Sequence, residues 1–408
     1  MNPIQNFQKN LYTPMDSKKT QLLVFTSKSF QKVLRLLGIN SYVGRLNNLA
    51  IFVLLVIFLN YTSHECQNKY KCKRSTVKFL IVYSLRALLM LIILSTSLFR
   101  PKLFAFPRQE MFIVDSILEL YGAQFTNKDI FLVHLQDIAT AIIALLYLLY
   151  LLYFIIIEDD TRFVNICIYV FNGYCRMCIL ITNGLFSHYI YDIYLRSREL
   201  NKIAVQHSRE NLSISYIDST ASSNLLFNKC NIAVITKFRS IQHIHHKLYI
   251  LATKINTNFS LPLLIMSALY LTSIINNFYN VYYYIKTNLG IFAIINELLM
   301  AVFYALQFLH VSYICQQSKN AFRQMAIILH NAFLEYKSLR AEVVHFSLQL
   351  VHENLKFTAL GLFEINIPLM CSVAGAVATY AVMIIQFDRK FINAENATTT
   401  TVTTITTT

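Results

Sequence analysis

Seven stretches of this chain are apolar over roughly the length of a membrane-crossing helix, and no other feature restricts its fold so severely. They cover approximately residues 47–61, 79–98, 135–157, 163–195, 257–284, 288–314 and 361–386. Hydrocarbon offers no partner to a backbone N–H or C=O, so a lone spanning segment closes its own hydrogen bonds as a helix, and ~20 residues suffice to cross. The first stretch is short. The fourth, fifth and sixth are long, and long spans tilt or continue as helices beyond the bilayer. Charged residues make up 14% of the chain, with a mean hydropathy of +0.46, against about 25% charged in soluble domains. The expected fold is therefore all-α: a polytopic membrane protein with seven transmembrane helices. The N-terminal run MNPIQNFQKNLYTPMDSKKT holds no apolar core of signal-peptide length, so the first span is expected to serve as the insertion signal.

Basic residues set the orientation. The net charge of +15 would suit nucleic acid in a soluble chain, but here it is better spent holding cytoplasmic loops in place. With the N-terminus inside and the C-terminus outside, the inside segments carry 25 of the 36 Lys and Arg and the outside segments 9. Two sequons, at Asn60 and Asn396, then face outside as glycosylation candidates, whereas those at Asn211 and Asn258 stay inside, unused.

Two inside segments carry helical seams. Val234, Phe238, Ile241, His245, Leu248, Ala252 and Ile255 step by four and three. Met325, Ile328, Ala332, Tyr336, Leu339, Val343, Phe346 and Leu350 do the same. Each seam needs a partner helix, so spans five and six are expected to extend into the cytoplasm and pack together. Residues 199–228, rich in Ser, Asn and Asp without periodicity, are expected to form a mobile loop, and the Thr-rich tail to be disordered.

Enzyme motifs are missing: no GxSxG, P-loop, HExxH or dinucleotide fingerprint occurs, and neither cofactor nor metal is expected. His243 and His246 share a helix face, yet zinc would need two more ligands. Cys175 and Cys178 lie within span four and read as small packing residues, while Cys66 and Cys72 share the first outside loop, free or paired. Ionisable residues inside spans are functional candidates, because burial in lipid is costly. Arg86, Asp137, Arg176 and Glu297 qualify, with Glu297 a candidate cavity wall; Tyr147, Tyr150 and Phe154 form an aromatic stripe on span three that serves packing or a ligand.

The seventh span closes with TYAVMIIQFD, residues 379–388. Ser372, Ala376, Thr379, Met383 and Gln386 share one helix face that is mostly small or polar, and Val382, Ile384 and Ile385 face elsewhere. Such a stripe suits a close helix interface or, repeated around an axis, a pore wall.

Thr379-Tyr380, five apolar residues and Gln386-Phe387 resemble the signature that insect gustatory receptors carry in their seventh span, at all four defining positions. FTALGLF, residues 357–363, resembles the lead-in to that span. Length, seven spans, an inside N-terminus and long cytoplasmic helices extend the resemblance over essentially the whole chain. It implies a ligand-gated, poorly selective cation channel of the seven-transmembrane insect chemoreceptor superfamily, a homo- or hetero-tetramer with related receptors in the plasma membrane of sensory neurons. By motif match, Gln386 and Phe387 would form the gate, and Thr379 and Tyr380 would hold the helix against its neighbours, with Met383 on the pore stripe. The implied division is a cytoplasmic segment over 1–46, spans and a ligand-binding bundle over 47–314, cytoplasmic anchor helices over 315–360, a pore span over 361–387 and an extracellular tail over 388–408. The pocket would lie among the outer halves of spans two to six, where Tyr147, Tyr150, Phe154 and Glu297 are the candidates. Sugar-sensing members often carry Glu after the Thr-Tyr pair; Ala381 stands there instead, which tilts the expected tastant towards bitter or aversive compounds. The expected partners are a small-molecule tastant, permeant cations and the lipid bilayer, with no nucleic acid. The alternatives are a G-protein-coupled receptor, which would need the N-terminus outside, an Asp-Arg-Tyr and an Asn-Pro-x-x-Tyr motif, and a transporter, which would show internal repeats or paired broken helices.

Overall fold

The computed structural model describes residues 108–123, 163–218, 224–288, 290–333 and 340–405, with Leu88 and scattered positions between 125 and 149. Span one, span two apart from Leu88, Asn60, Cys66, Cys72, Arg86 and Asp137 lie outside the described residues, as do Tyr147, Tyr150 and Phe154.

Three long helices make the body: α2 (Phe163–Asp218), α3 (Asn224–Lys286) and α4 (Ile291–Phe333). At 1.5 Å per residue they measure roughly 65–95 Å, over twice the ~30 Å of a hydrocarbon core. Each therefore extends well beyond a bilayer, and the three pack pairwise on one another. The short helix α1 (Arg108–Leu120) precedes them. Met111, Val114 and Leu118, one face by their spacing, are fully buried. Gly122 at φ +85° ends it, with Ala123 N donating to Leu118 O and Gly122 N to Glu119 O, the pairing that closes a helix on a left-handed residue. Helix α5 (Arg340–His352), a hairpin of β1 (Thr358–Ala359) and β2 (Phe363–Glu364), and α6 (Ile367–Ile405) complete the order. Among the described residues, Ile232–Lys286, Ile291–Asn331 and Ile367–Phe387 are long and apolar enough to cross a membrane.

The first seam is buried as its spacing requires. Phe238, Ile241, His245, Leu248, Ala252 and Ile255 are at most 3% exposed, and Val234 is half-buried. Of the second, Met325, Ile328, Val343 and Phe346 are buried and Leu350 is half-buried; Tyr336 and Leu339, like the side chain of Ala332, lie outside the described residues. Two helices, α4 and α5, carry this seam.

Two expectations are corrected. Most of the stretch expected as a loop is helix: α2 runs unbroken through residue 199 to Asp218, and α3 starts at Asn224. Leu200, Ile203, Ala204 and His207 are buried at helical spacing, and Asn201 Nδ2 donates to Ala321 O at 2.8 Å, so tertiary partners override a polar composition. The Thr-rich tail is helical as far as Ile405, continuing α6; an established helix gains one hydrogen bond per added residue.

A buried ionic layer ties α1 to α2. Arg196 donates from Nε and Nη2 to Asp115 at 2.7 and 2.8 Å, and both side chains are at most 2% exposed. Burial works against the Arg196 charge, but Asp115 and Asp192 outweigh it and hold the guanidinium above its ordinary value. Beside it Arg198 reaches Asp129 at 2.7 Å, and Lys202 reaches Glu199 at 2.7 Å.

Candidate pore helix and ligand seam

Helix α6 is positioned from its first turn. Asn366 caps it, with Leu369 N donating to Asn366 Oδ1 at 3.0 Å. The hairpin before it turns through Leu360 at φ +50° and Gly361 at φ +75°, closed by Leu362 N donating to Ala359 O at 3.0 Å. Positive φ at both central residues is the turn whose twist matches two antiparallel strands. Thr358 N donates to Asn256 Oδ1 at 3.1 Å, fixing β1 to α3, and Lys319 of α4 pairs with Glu364 of β2. The start of α6 is thus fastened to both α3 and α4.

From there α6 touches the body with one face only. Leu369, Met370 and Val373 pack against the core, Val377 is buried, and Ile384 and Ile385 are half-buried. Within Ile367–Phe387 only 6% of the most apolar stretch is buried. Ser372, Thr379, Met383 and Gln386 are exposed, and Ala376 is half-buried. Tyr380 and Phe387 are also exposed, at 50% and 53%. Thr379 returns its hydroxyl to Gly375 O at 2.9 Å, which satisfies it within its own helix. A face this apolar and this uncovered needs lipid or further protein against it.

A second polar line runs inside the bundle, towards the α3–α4 turn. On α3, Tyr270, Ser273, Asn277 and Asn280 share a face; on α4, Glu297, Tyr304 and Gln307 oppose it. Asn280 Nδ2 donates to Glu297 Oε2 at 3.2 Å. In the amide orientation that pairs donors with acceptors, Asn277 also donates to Glu297 Oε2 at 3.2 Å and accepts from Ala301 N at 3.1 Å. Deeper, Tyr270 donates to Gln307 Oε1 at 3.1 Å. Arg176 of α2 joins the line, its Nη1 3.9 Å from Met300 Sδ. In the sequence Glu297 and Arg176 stand out as charges within spans, whereas Asn277, Asn280, Tyr270 and Gln307 do not. Their three- and four-residue spacing within an apolar span was the available signal. Of the four pocket candidates only Glu297 is described; Tyr147, Tyr150 and Phe154 lie outside the described residues.

Two clefts lie at the other end of the molecule. One of about 680 Å³ is lined by His243, His246, His345, His352 and Glu353, among others. The Glu353 carboxylate receives His245 Nδ1 at 3.1 Å, His246 and Gln349. Burial pushes its pKa up, but these three hydrogen bonds outweigh that and hold it below the usual carboxylate range. His245 is wedged between the Phe322 and Phe346 rings, 5.1 and 5.7 Å between centroids. Among the described residues no three His, Cys, Asp or Glu side chains converge to hold a metal ion. This cluster joins α3 to α5.

Comparison with known proteins places these features in context. The family model for the 7tm chemosensory receptor matches residues 22–391. Gustatory receptor 23a of Drosophila melanogaster is 30% identical over 154 residues, 37% of this chain and 41% of that receptor. The chain spans less than half the length of each curated relative it matches. Among solved structures, the insect olfactory receptor OR5 from Machilis hrabei aligns with a TM-score of 0.59 over 88% of this chain and 97% of its own, at 12% identity. The same receptor in complex with eugenol aligns at 0.57, over 90% and 99%, at 10% identity. At such identity the likeness is one of fold: an all-α, polytopic membrane architecture.

Proposed function

The chain belongs to the 7tm chemosensory receptor family, and on that premise we propose that it is a gustatory receptor working as a tastant-gated, non-selective cation channel of four subunits. The observation that carries this reading is the lopsided burial of α6. Its Leu369–Met370–Val373–Val377 side packs on the subunit, while Thr379, Met383 and Gln386 are left uncovered in the single chain. Four copies around an axis would set that stripe against water and leave the apolar remainder to protein and lipid. Gln386 then presents an amide to permeating water and partly dehydrated cations, and the Phe387 ring closes the same level by excluding water. Thr379 and Tyr380 would meet the adjoining subunit.

In this arrangement the N-terminus is inside, Asn60 and Asn396 face outside, and residues 315–360 form the cytoplasmic anchor. Glu297 and its amide partners line the tastant site, with Tyr147, Tyr150 and Phe154 on the facing span. Ala381 tilts the tastant towards bitter or aversive compounds. The family is one of multi-pass membrane receptors, not of enzymes.

Recording from excised membrane patches tests the channel directly. Tastant-evoked cation currents that persist without nucleotide are expected. Responses that require cytosolic nucleotide would point instead to a receptor coupled to a separate effector.

A further inference from the structure

We infer, resting on the reading of this chain as a ligand-gated receptor, that the seam beside Glu297 recognises a protonated organic amine, with the Glu297 carboxylate as its counter-ion. A carboxylate inside a spanning bundle is costly unless a cation or a proton compensates it. Among the described residues Glu297 has hydrogen bonds but no bonded cation. Its Oε2 accepts from Asn280 and, in the paired orientation, from Asn277, both neutral amides. Oε1 accepts nothing among the described residues, and no Lys, Arg or His nitrogen there lies within ion-pair distance of either oxygen. Arg176 acts on the carboxylate through space, its own Nη1 lying against Met300 Sδ. Two amides thus orient a carboxylate that has no ion-pair contact among the described residues.

The surroundings suit an organic cation better than a metal ion. A hard metal ion gathers six or more oxygens, whereas Glu297 has nitrogen donors around it. Aromatic rings crowd this end of α3, within about two turns of Asn277: Tyr279 and Tyr282 lie 6.3 Å apart between centroids, and Tyr283 and Tyr284 6.1 Å. Tyr284, seven residues beyond Asn277, shares its helix face. Ring faces attract an ammonium group within about 6 Å, so a path past these tyrosines would suit the same charge that Glu297 terminates. A neutral ligand of equal shape would leave the carboxylate uncompensated.

Binding is measured on the purified full chain in lipid nanodiscs, as the dose-dependent rise in unfolding temperature. The probes are two matched pairs that differ in charge at neutral pH: 2-phenylethylamine with 2-phenylethanol, and choline with 3,3-dimethylbutanol. The wild type should bind at least one cation tenfold or more tightly than its neutral partner. Glu297→Gln keeps the side-chain volume and an acceptor for Asn280, and should erase that preference without weakening the neutral compound; Glu297→Asp should retain it. No preference in either pair, or a preference that survives in Glu297→Gln, overturns the inference. Because this readout needs no current, it separates the two proposals. An amine that binds through Glu297 but opens no conductance removes the channel reading alone. An amine that gates wild type and Glu297→Gln equally removes this inference alone.

Discussion

Gln386 and Phe387 are one residue apart, yet the account gives them opposite duties. Phe387→Ala should remove the ring that closes the constriction, so cells expressing it are expected to leak cations without tastant. Gln386→Glu would add four charges to one narrow ring and should shift the permeability ratio among monovalent and divalent cations, measured as a change in reversal potential. At the hairpin, Gly361 has a φ of +75°, a backbone region that a β-branched residue resists. Gly361→Val should therefore cost about 1–2 kcal/mol, read as a lower unfolding temperature. Glu353 makes a prediction about pH. Its folded pKa lies below the ordinary carboxylate value, so the stability it contributes is present above about pH 4.3 and is lost as pH falls through the folded value. Hydrogen exchange in α5 should accelerate in that acid range, and Glu353→Gln should remove the acid-dependent part.

The helices show which parts of a sequence speak locally. The seam from Val234 to Ile255 was legible because its spacing alone defines a face, and that face is buried within the subunit, chiefly against neighbouring helices of the same chain. Ile241→Asp should accordingly cost roughly a few kcal/mol, and folded subunit should be lost along with the proposed tetramer. The continuation of α2 past residue 199 was not legible. Leu200, Ile203 and Ala204 are interleaved with Arg198, Asn201 and Lys202, whose partners Asp129, Ala321 and Glu199 come from the segment before span three, α4 and α2 itself. Nor does Leu360 announce a left-handed turn, since leucine is not a turn residue. In the candidate site Glu297 stood out by charge, whereas Asn277 and Asn280 gain meaning only once α3 faces α4. The Arg196–Asp115 pair is likewise a contact between distant segments. Removing one partner, as in Asp115→Ala, should destabilise by about 3–5 kcal/mol, while replacing both by apolar residues of similar size should be close to neutral; chemical unfolding of the two variants distinguishes these outcomes.

For the whole molecule, the single chain is an unfinished object. Its long helices close around one continuous core, while α6 offers Tyr380, Val382, Met383 and Phe387 to the outside at 42–53% exposure. The proposed topology puts Asn396 beyond the membrane, so a glycosidase-sensitive shift should map there and not to Asn211. The central claim, that four copies of α6 enclose the conducting path, is tested most directly by thiol modification during recording. Met383 lies on the stripe and is 42% exposed, and Ile384, the next residue, is half-buried on another face. In otherwise wild-type channels opened by tastant, a charged methanethiosulfonate reagent added from outside should block Met383→Cys current rapidly and leave Ile384→Cys unaffected. Equal modification rates at the two positions, or none at Met383→Cys, would contradict a pore wall built from this helix.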